Sequence, residues 1–127
     1  MPQILVVEDS ECIQAIYQKN LEGIVGPDNL HITPDYETAI SMLDITPYDL
    51  YILDGRFKES PTGPVGALGI KLADEIKSRE GSYDKIRIVT TWDPIITMAK
   101  QLGITYYEKG ADELMQLFAD LREELGE

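Results

Sequence analysis

The chain has 127 residues, 43% of them hydrophobic, with one Trp, seven Tyr and two Phe; that is enough for one domain, over 1–127, burying roughly two thirds of its unfolded surface, and too little for two. Its 23 acids against 11 bases give a net charge of −12 without any basic block, which argues against a nucleic-acid surface, and no apolar run approaches the ~20 residues that span a bilayer. One cysteine makes no internal disulfide, and the opening Met-Pro-Gln-Ile lacks the basic segment and apolar core of an export signal, so the expectation is a cytoplasmic protein away from membranes.

Gln3-Ile-Leu-Val-Val7 reads as a strand, and it ends in the acids Glu8-Asp9. A continuous apolar run of this length suits a strand covered on both faces. Asp9 or Ser10 can cap the helix that follows, in which Ile13, Ile16, Tyr17, Leu21 and Ile24 recur at helical spacing until Gly23 and Gly26-Pro27 close it. Cys12 falls in that helix with no second cysteine or histidine nearby, so a packed or half-exposed thiol is expected rather than a metal ligand. Leu30-His-Ile-Thr33 is a short strand carrying the only histidine, which has no partner ligand close in sequence. Pro34-Asp35 starts a second helix with Tyr36, Ala39, Ile40 and Leu43 on its inner face, and Pro47 stops it.

The central strand is Leu50-Tyr-Ile-Leu-Asp54, apolar until its last residue before Gly55. In open α/β sheets ligands bind beyond the carboxyl ends of the strands, which makes Asp54 a candidate on position alone. A long Gly- and Pro-rich loop covers 55–66, and loops of that length in small domains are usually functional or mobile. It contains neither GxxxxGK[ST] nor GxGxxG, so a nucleotide cradle is not expected. Leu68, Leu72, Ala73 and Ile76 then mark a helix ending by Gly81, and Ile86-Arg-Ile-Val-Thr-Thr91 a fourth strand. Asp93-Pro94 reads as a cap with proline at the first helical position, before the stripe Ile95, Met98, Ala99 and Leu102. Trp92 reads as a packed or rim aromatic. Ile104-Thr-Tyr-Tyr107 is a last brief strand leading into Glu108-Lys109-Gly110, and Leu114, Leu117, Phe118, Leu121 and Leu125 line a final amphipathic helix.

Five alternations of strand and helix without a hairpin signal predict an α/β fold, a doubly wound five-stranded parallel sheet with helices on both faces. Parallel topology brings Glu8, Asp9, Asp54, Thr90, Thr91 and Lys109 to one edge. Crowded carboxylates repel unless a proton or cation intervenes, and an all-oxygen site suits Mg²⁺. A lysine and a threonine hydroxyl opposite them suit the negative oxygens of a phosphoryl group on Asp54. Taken singly, each residue has an ordinary use: Glu8-Asp9 as a helix cap, Thr90 as a strand threonine, Lys109 as a surface base. The functional reading rests on their convergence.

The pieces ILVVEDS, LYILDG, IRIVTT and YYEKG stand in order at the ends of strands one, three, four and five. Together they resemble the response-regulator receiver domain of two-component signalling, and the likeness runs over essentially the whole chain. It implies the flavodoxin-like (βα)5 order 2-1-3-4-5. It further implies that Glu8, Asp9, Asp54 and the Arg56 backbone carbonyl hold Mg²⁺, and that Asp54 accepts a phosphoryl group from a histidine kinase or phosphotransfer protein. Thr90 and Lys109 would bind the phosphoryl oxygens, and Tyr106 would reorient with Thr90. On this reading the chain is a stand-alone receiver whose output protein acts in trans, with no activity beyond Mg²⁺-dependent self-phosphorylation from a phosphodonor and autodephosphorylation. Gly110 stands where the family usually has proline, Thr91 where it has a small residue, and the 55–66 loop is longer than usual. The first removes a cis-proline constraint on Lys109, the second sets a side chain beside the pocket, and the third covers the site or docks a partner. A receiver-like interaction module working without phosphorylation is the alternative. A dehalogenase-type phosphoaspartate enzyme would want an aspartate where Arg56 stands, and a flavin binder would want a hydroxyl-rich loop where Glu8-Asp9 stand.

Overall fold

Three strands are buried at every position, and they form the middle of the sheet: β1 (Ile4–Val7), β3 (Leu50–Asp54) and β6 (Ile86–Thr90). The computed structural model describes residues 2–125. β2 (Leu30–Thr33) and β7 (Thr105–Glu108), partly exposed, are the edges. All pairings in this sheet are parallel in the order β2-β1-β3-β6-β7, the expected 2-1-3-4-5 order once two short strands of a separate hairpin, β4 (Phe57–Lys58) and β5 (Val65–Gly66), are counted within the chain.

Helices cover both faces because the apolar strand residues point alternately to each. Ile4, Val6, Ile52 and Val89 pack with Tyr17, Leu21 and Val25 of α1 (Glu11–Val25) and with Leu114, Leu117, Phe118 and Leu121 of α5 (Ala111–Leu125). Leu5, Val7, Leu53, Ile86 and Ile88 pack with α2 (Tyr36–Ile45), α3 (Gly69–Glu80) and α4 (Asp93–Leu102) through Ala39, Leu72, Ala73, Ile76, Ile95 and Ala99. Ser10 caps α1, its Oγ accepting the Ile13 N–H at 3.4 Å, and Asp35 caps α2, accepting the Thr38 N–H at 2.7 Å. α1 runs through Gly23 to Val25 and stops at Gly26, whose positive φ of 86° favours glycine.

Two expectations need correcting. Segment 55–66 is not featureless: β4 (Phe57–Lys58) and β5 (Val65–Gly66) pair antiparallel, Phe57 is fully buried in the core beside α2 and α3, and the Glu37 N–H donates to the Glu59 carbonyl at 3.0 Å. The hairpin is therefore anchored to the start of α2. At α4 the cap is Trp92, whose carbonyl accepts the Ile95 and Ile96 N–H groups, and Asp93 lies in the first turn. There its charge still suits the positive end of the helix. Among the described residues no helix is long and apolar enough to cross a membrane.

Candidate functional site

The carboxyl ends of β1, β3, β6 and β7 meet at one edge, and each delivers one or two of the expected residues. Glu8 and Asp9 follow β1, and the Glu8 N–H donates to the Thr33 carbonyl of β2 at 3.0 Å. The Glu8 side chain is 1% exposed. Its Oε2 accepts the Ser10 N–H at 3.1 Å, and its backbone carbonyl accepts from Gln14 Nε2. Asp54 closes β3 and is nearly buried. Behind it the chain is tight: a Cβ on Gly69 would lie 2.6 Å from the Asp54 carbonyl oxygen and 2.9 Å from the Gly55 Cα, so α3 can start this close to β3 only with glycine there. Gly55 is equally confined, since its Cβ would lie 2.5 Å from Thr90 Oγ1.

One carboxylate oxygen each from Glu8, Asp9 and Asp54 lies within 4.8 Å of the others. Lys109 Nζ stands between two of them, 2.7 Å from Glu8 Oε1 and 3.0 Å from Asp54 Oδ2. The Lys109 N–H donates to the Thr90 carbonyl at 3.0 Å, which carries the β6–β7 ladder one residue further and fixes the lysine beside the site. The contact to Glu8 is a close charge pair without hydrogen-bond alignment, so Glu8 Oε1 is a buried acceptor lacking a directed donor. Burial, followed by the neighbouring charge of Asp54, pushes the Glu8 carboxyl up to about 7, against the opposing pull of Lys109. Burial alone would lower Lys109; the Glu8 and Asp54 carboxylates outweigh it and hold the ammonium above its usual range. A buried oxygen without a directed donor, amid three converging carboxylates, is a donor set that fits a hard divalent cation, so Glu8, Asp9 and Asp54 could hold one.

Thr90 is buried, and its Oγ1 accepts the Trp92 N–H at 3.1 Å. The hydroxyl proton is thereby free to be donated elsewhere. Thr91 is exposed, so the added side chain points into solvent. Tyr106 is half-buried against the α4-side core, with Lys100 Nζ 5.7 Å from its ring centroid. No peptide bond among the described residues is cis, so Lys109–Gly110 is trans. The Arg56 side chain turns to Trp92, its guanidinium carbon 5.0 Å from the centroid of the indole ring. Trp92 is a rim aromatic, 38% exposed. Cys12 is exposed, more open than the packed or half-exposed thiol the sequence suggested. The sequence does not point to Gly69, the Ser10 N–H or the Trp92 N–H as supports of the site. Backbone groups carry no residue signature, and a helix-starting glycine announces no close approach.

No protein-family model matches the chain, and no curated protein does. Solved structures match over nearly all of it. The signal receiver domain of an HD domain-containing protein from Pseudomonas fluorescens Pf-5 is 26% identical with a TM-score of 0.75, over 98% of this chain and 86% of that one. A phosphorylated cyanobacterial phytochrome response regulator, RcpA, is 21% identical with a TM-score of 0.68, over 97% and 90%. The Mn²⁺-bound form of the response regulator Rcp1 is 20% identical with a TM-score of 0.65, over 97% and 91%.

Proposed function

We propose that this chain, a response-regulator receiver domain by its fold, accepts a phosphoryl group on Asp54 from the phosphohistidine of a histidine kinase or phosphotransfer protein, in the cytoplasm, and signals by changing how it binds an output protein. The observation that carries the reading is Lys109 Nζ within 3.0 Å of both Glu8 and Asp54, whose carboxylates converge with that of Asp9. That one neighbour of this fold is phosphorylated and another binds Mn²⁺ supports it.

Glu8, Asp9, Asp54 and the Arg56 carbonyl would hold Mg²⁺, which supplies neutralisation of charge between the carboxylate and the incoming phosphoryl group. The remaining work belongs to side chains. An Asp54 carboxylate oxygen attacks phosphorus as the bond to the donor imidazole nitrogen breaks, the electron pair staying with the imidazole. Lys109, held beside Asp54 Oδ2, stabilises the negative oxygens that the acyl phosphate adds. The Thr90 hydroxyl accepts from Trp92 while donating to one of those oxygens, so turning toward the phosphoryl group pulls on the start of α4.

Intact mass after incubation with a small phosphodonor and Mg²⁺ tests this. Wild type should gain one phosphoryl group, and Asp54→Asn should gain none; an equal gain in Asp54→Asn puts the acceptor elsewhere and sinks the assignment.

A further inference from the structure

Resting on the reading of Glu8 and Asp9 as metal-holding acids, we infer that Gln14 is a positioning residue for both: its side-chain amide fixes the peptide plane the two acids share, and so sets the affinity of the site for a divalent cation. β1 ends at Val7, whose register partners are Thr33 and Leu53. The Glu8 carbonyl therefore lies one residue beyond the paired stretch. Gln14 takes over there, reaching back from α1 to donate from Nε2 at 2.5 Å. A carbonyl oxygen can only accept, so the amino group of the amide, not its oxygen, must face it.

The C=O of Glu8 and the N–H of Asp9 belong to one planar peptide unit. Its tilt sets ψ of Glu8 together with φ of Asp9, and hence the directions in which the two side chains leave the backbone. The preceding peptide plane is pinned by the Glu8 N–H, which donates to the Thr33 carbonyl at 3.0 Å. The Gln14 bond pins the following one, so both backbone dihedrals of Glu8 are held from outside. Gln14 is itself anchored, because its N–H donates to the Ser10 carbonyl at 2.9 Å in the first full turn of α1. Without the amide, the Glu8 carboxylate would keep the Ser10 N–H and Lys109, whereas half-exposed Asp9 would lose the constraint on its own backbone. A hard divalent cation needs its oxygens in a set geometry, and groups that orient the ligands tune affinity without touching the metal. Gln14 touches no reacting atom.

The test measures Mg²⁺ dissociation constants by titration calorimetry on the metal-stripped full chain, with circular dichroism to show that each variant is folded. Gln14→Met, of similar length but without a donor, and Gln14→Asn, with the amide one methylene short, should each weaken Mg²⁺ binding about three- to tenfold. Gln18→Met makes the same change one turn further along α1, where the amide donates to Glu22, and should stay within about twofold of wild type. Metal-free NMR supplies a signature that general destabilisation would not give: the Glu8 carbonyl carbon and the Asp9 amide nitrogen should shift in both Gln14 variants and not in Gln18→Met. With a small phosphodonor, the Gln14 variants should need about three- to tenfold more Mg²⁺ for half-maximal phosphorylation. If wild type binds Mg²⁺ and either Gln14 variant binds it within about twofold of wild type, or if the Glu8 carbonyl resonance does not move, the positioning role is overturned and the phosphoacceptor reading stands. If wild type binds Mg²⁺ but gains no phosphoryl group, that reading falls, while weakened dissociation constants in the Gln14 variants still uphold the positioning role. If wild type binds no Mg²⁺, the metal site and the role of Gln14 fall together.

Discussion

Replacing Phe57 by alanine isolates the contribution of the hairpin inserted after the central strand. The ring is fully buried in the core beside Ala39, Ile70 and Leu72, and truncating a buried phenylalanine costs about 3–5 kcal/mol in transfer and cavity terms. At roughly 2.1 cal/mol/K of unfolding entropy per residue, a chain this size loses about 4 °C of melting temperature per kcal/mol, so the expected drop is about 12–20 °C. Val65, on the partner strand of the same hairpin but 49% exposed, serves as the control, since Val65→Ala should stay within about 0.5 kcal/mol. Urea titration supplies the free energies. Hydrogen exchange adds location, because loss of the anchor should first expose the amide of Glu37, which donates to Glu59 of the hairpin. Arg56 sits between Asp54 and Phe57, so the variant should also weaken the Mg²⁺ response at temperatures where it remains folded. A cost under about 1 kcal/mol would mean that the segment is a detached cover, as its Gly and Pro content suggests.

Gly69→Ala should destabilise by about 1–3 kcal/mol in urea, because its Cβ meets backbone at Asp54 and Gly55, whereas Gly23→Ala, with open space around it inside α1, should stabilise by about 0.5–1 kcal/mol. If Mg²⁺ binds with a dissociation constant of ~1 mM, ~10 mM should add about 1.4 kcal/mol by mass action, a melting shift of roughly 4–7 °C, and Asp9→Asn should shrink it; an equal response in both, against NaCl at matched ionic strength, refutes the metal site. In chelator, the raised Glu8 carboxyl makes its sign definite: the folded state holds that proton more tightly than the unfolded chain, so the stabilisation contributed by Glu8 is full below pH 4.5 and is lost as pH rises through about 7. Glu8→Gln should flatten that slope in thermal melts across the same window, and an unchanged slope would locate it in other acids.

The strands and their acids are legible because continuous apolar runs ending in charge leave few alternatives for Ile4–Val7 and Leu50–Asp54, and parallel pairing then forces Glu8, Asp54, Thr90 and Lys109 to one edge. The hairpin is not legible. Its strands are two residues each, too short for any alternation to register, and its anchor is a single phenylalanine among glycines, prolines and charges. The cap of α4 is off by one for a related reason: Asp93 has the side chain of a cap, yet the Trp92 carbonyl is already committed to the Ile95 and Ile96 amides and its N–H to Thr90. There the backbone bonds of Trp92, all to residues within four positions, outweigh the side-chain preference of Asp93. The meeting of Arg56 with Trp92 joins two loops 36 positions apart in sequence, and nothing in either loop alone anticipates it.

The same topology explains why an acidic protein keeps its most expensive charges together. Two carboxylates about 4 Å apart repel by roughly 4 kcal/mol at the effective dielectric of a half-buried site, and here three converge. Among the described residues Lys109 is the one base paired with Glu8 or Asp54, and a single ammonium cannot neutralise three acids. Glu8 registers both burial and, after it, the neighbouring charge of Asp54: its carboxyl is held far above its usual range despite the lysine 2.7 Å away. A phosphoryl group on Asp54 would enlarge the deficit, which a proton on Glu8 or a second cation beside Lys109 would reduce. Stability in the empty state and readiness for a divalent ion are therefore opposed through the same three residues. Neutralising any one of them should move the two properties in opposite directions, whereas acids that merely decorate the surface would move neither.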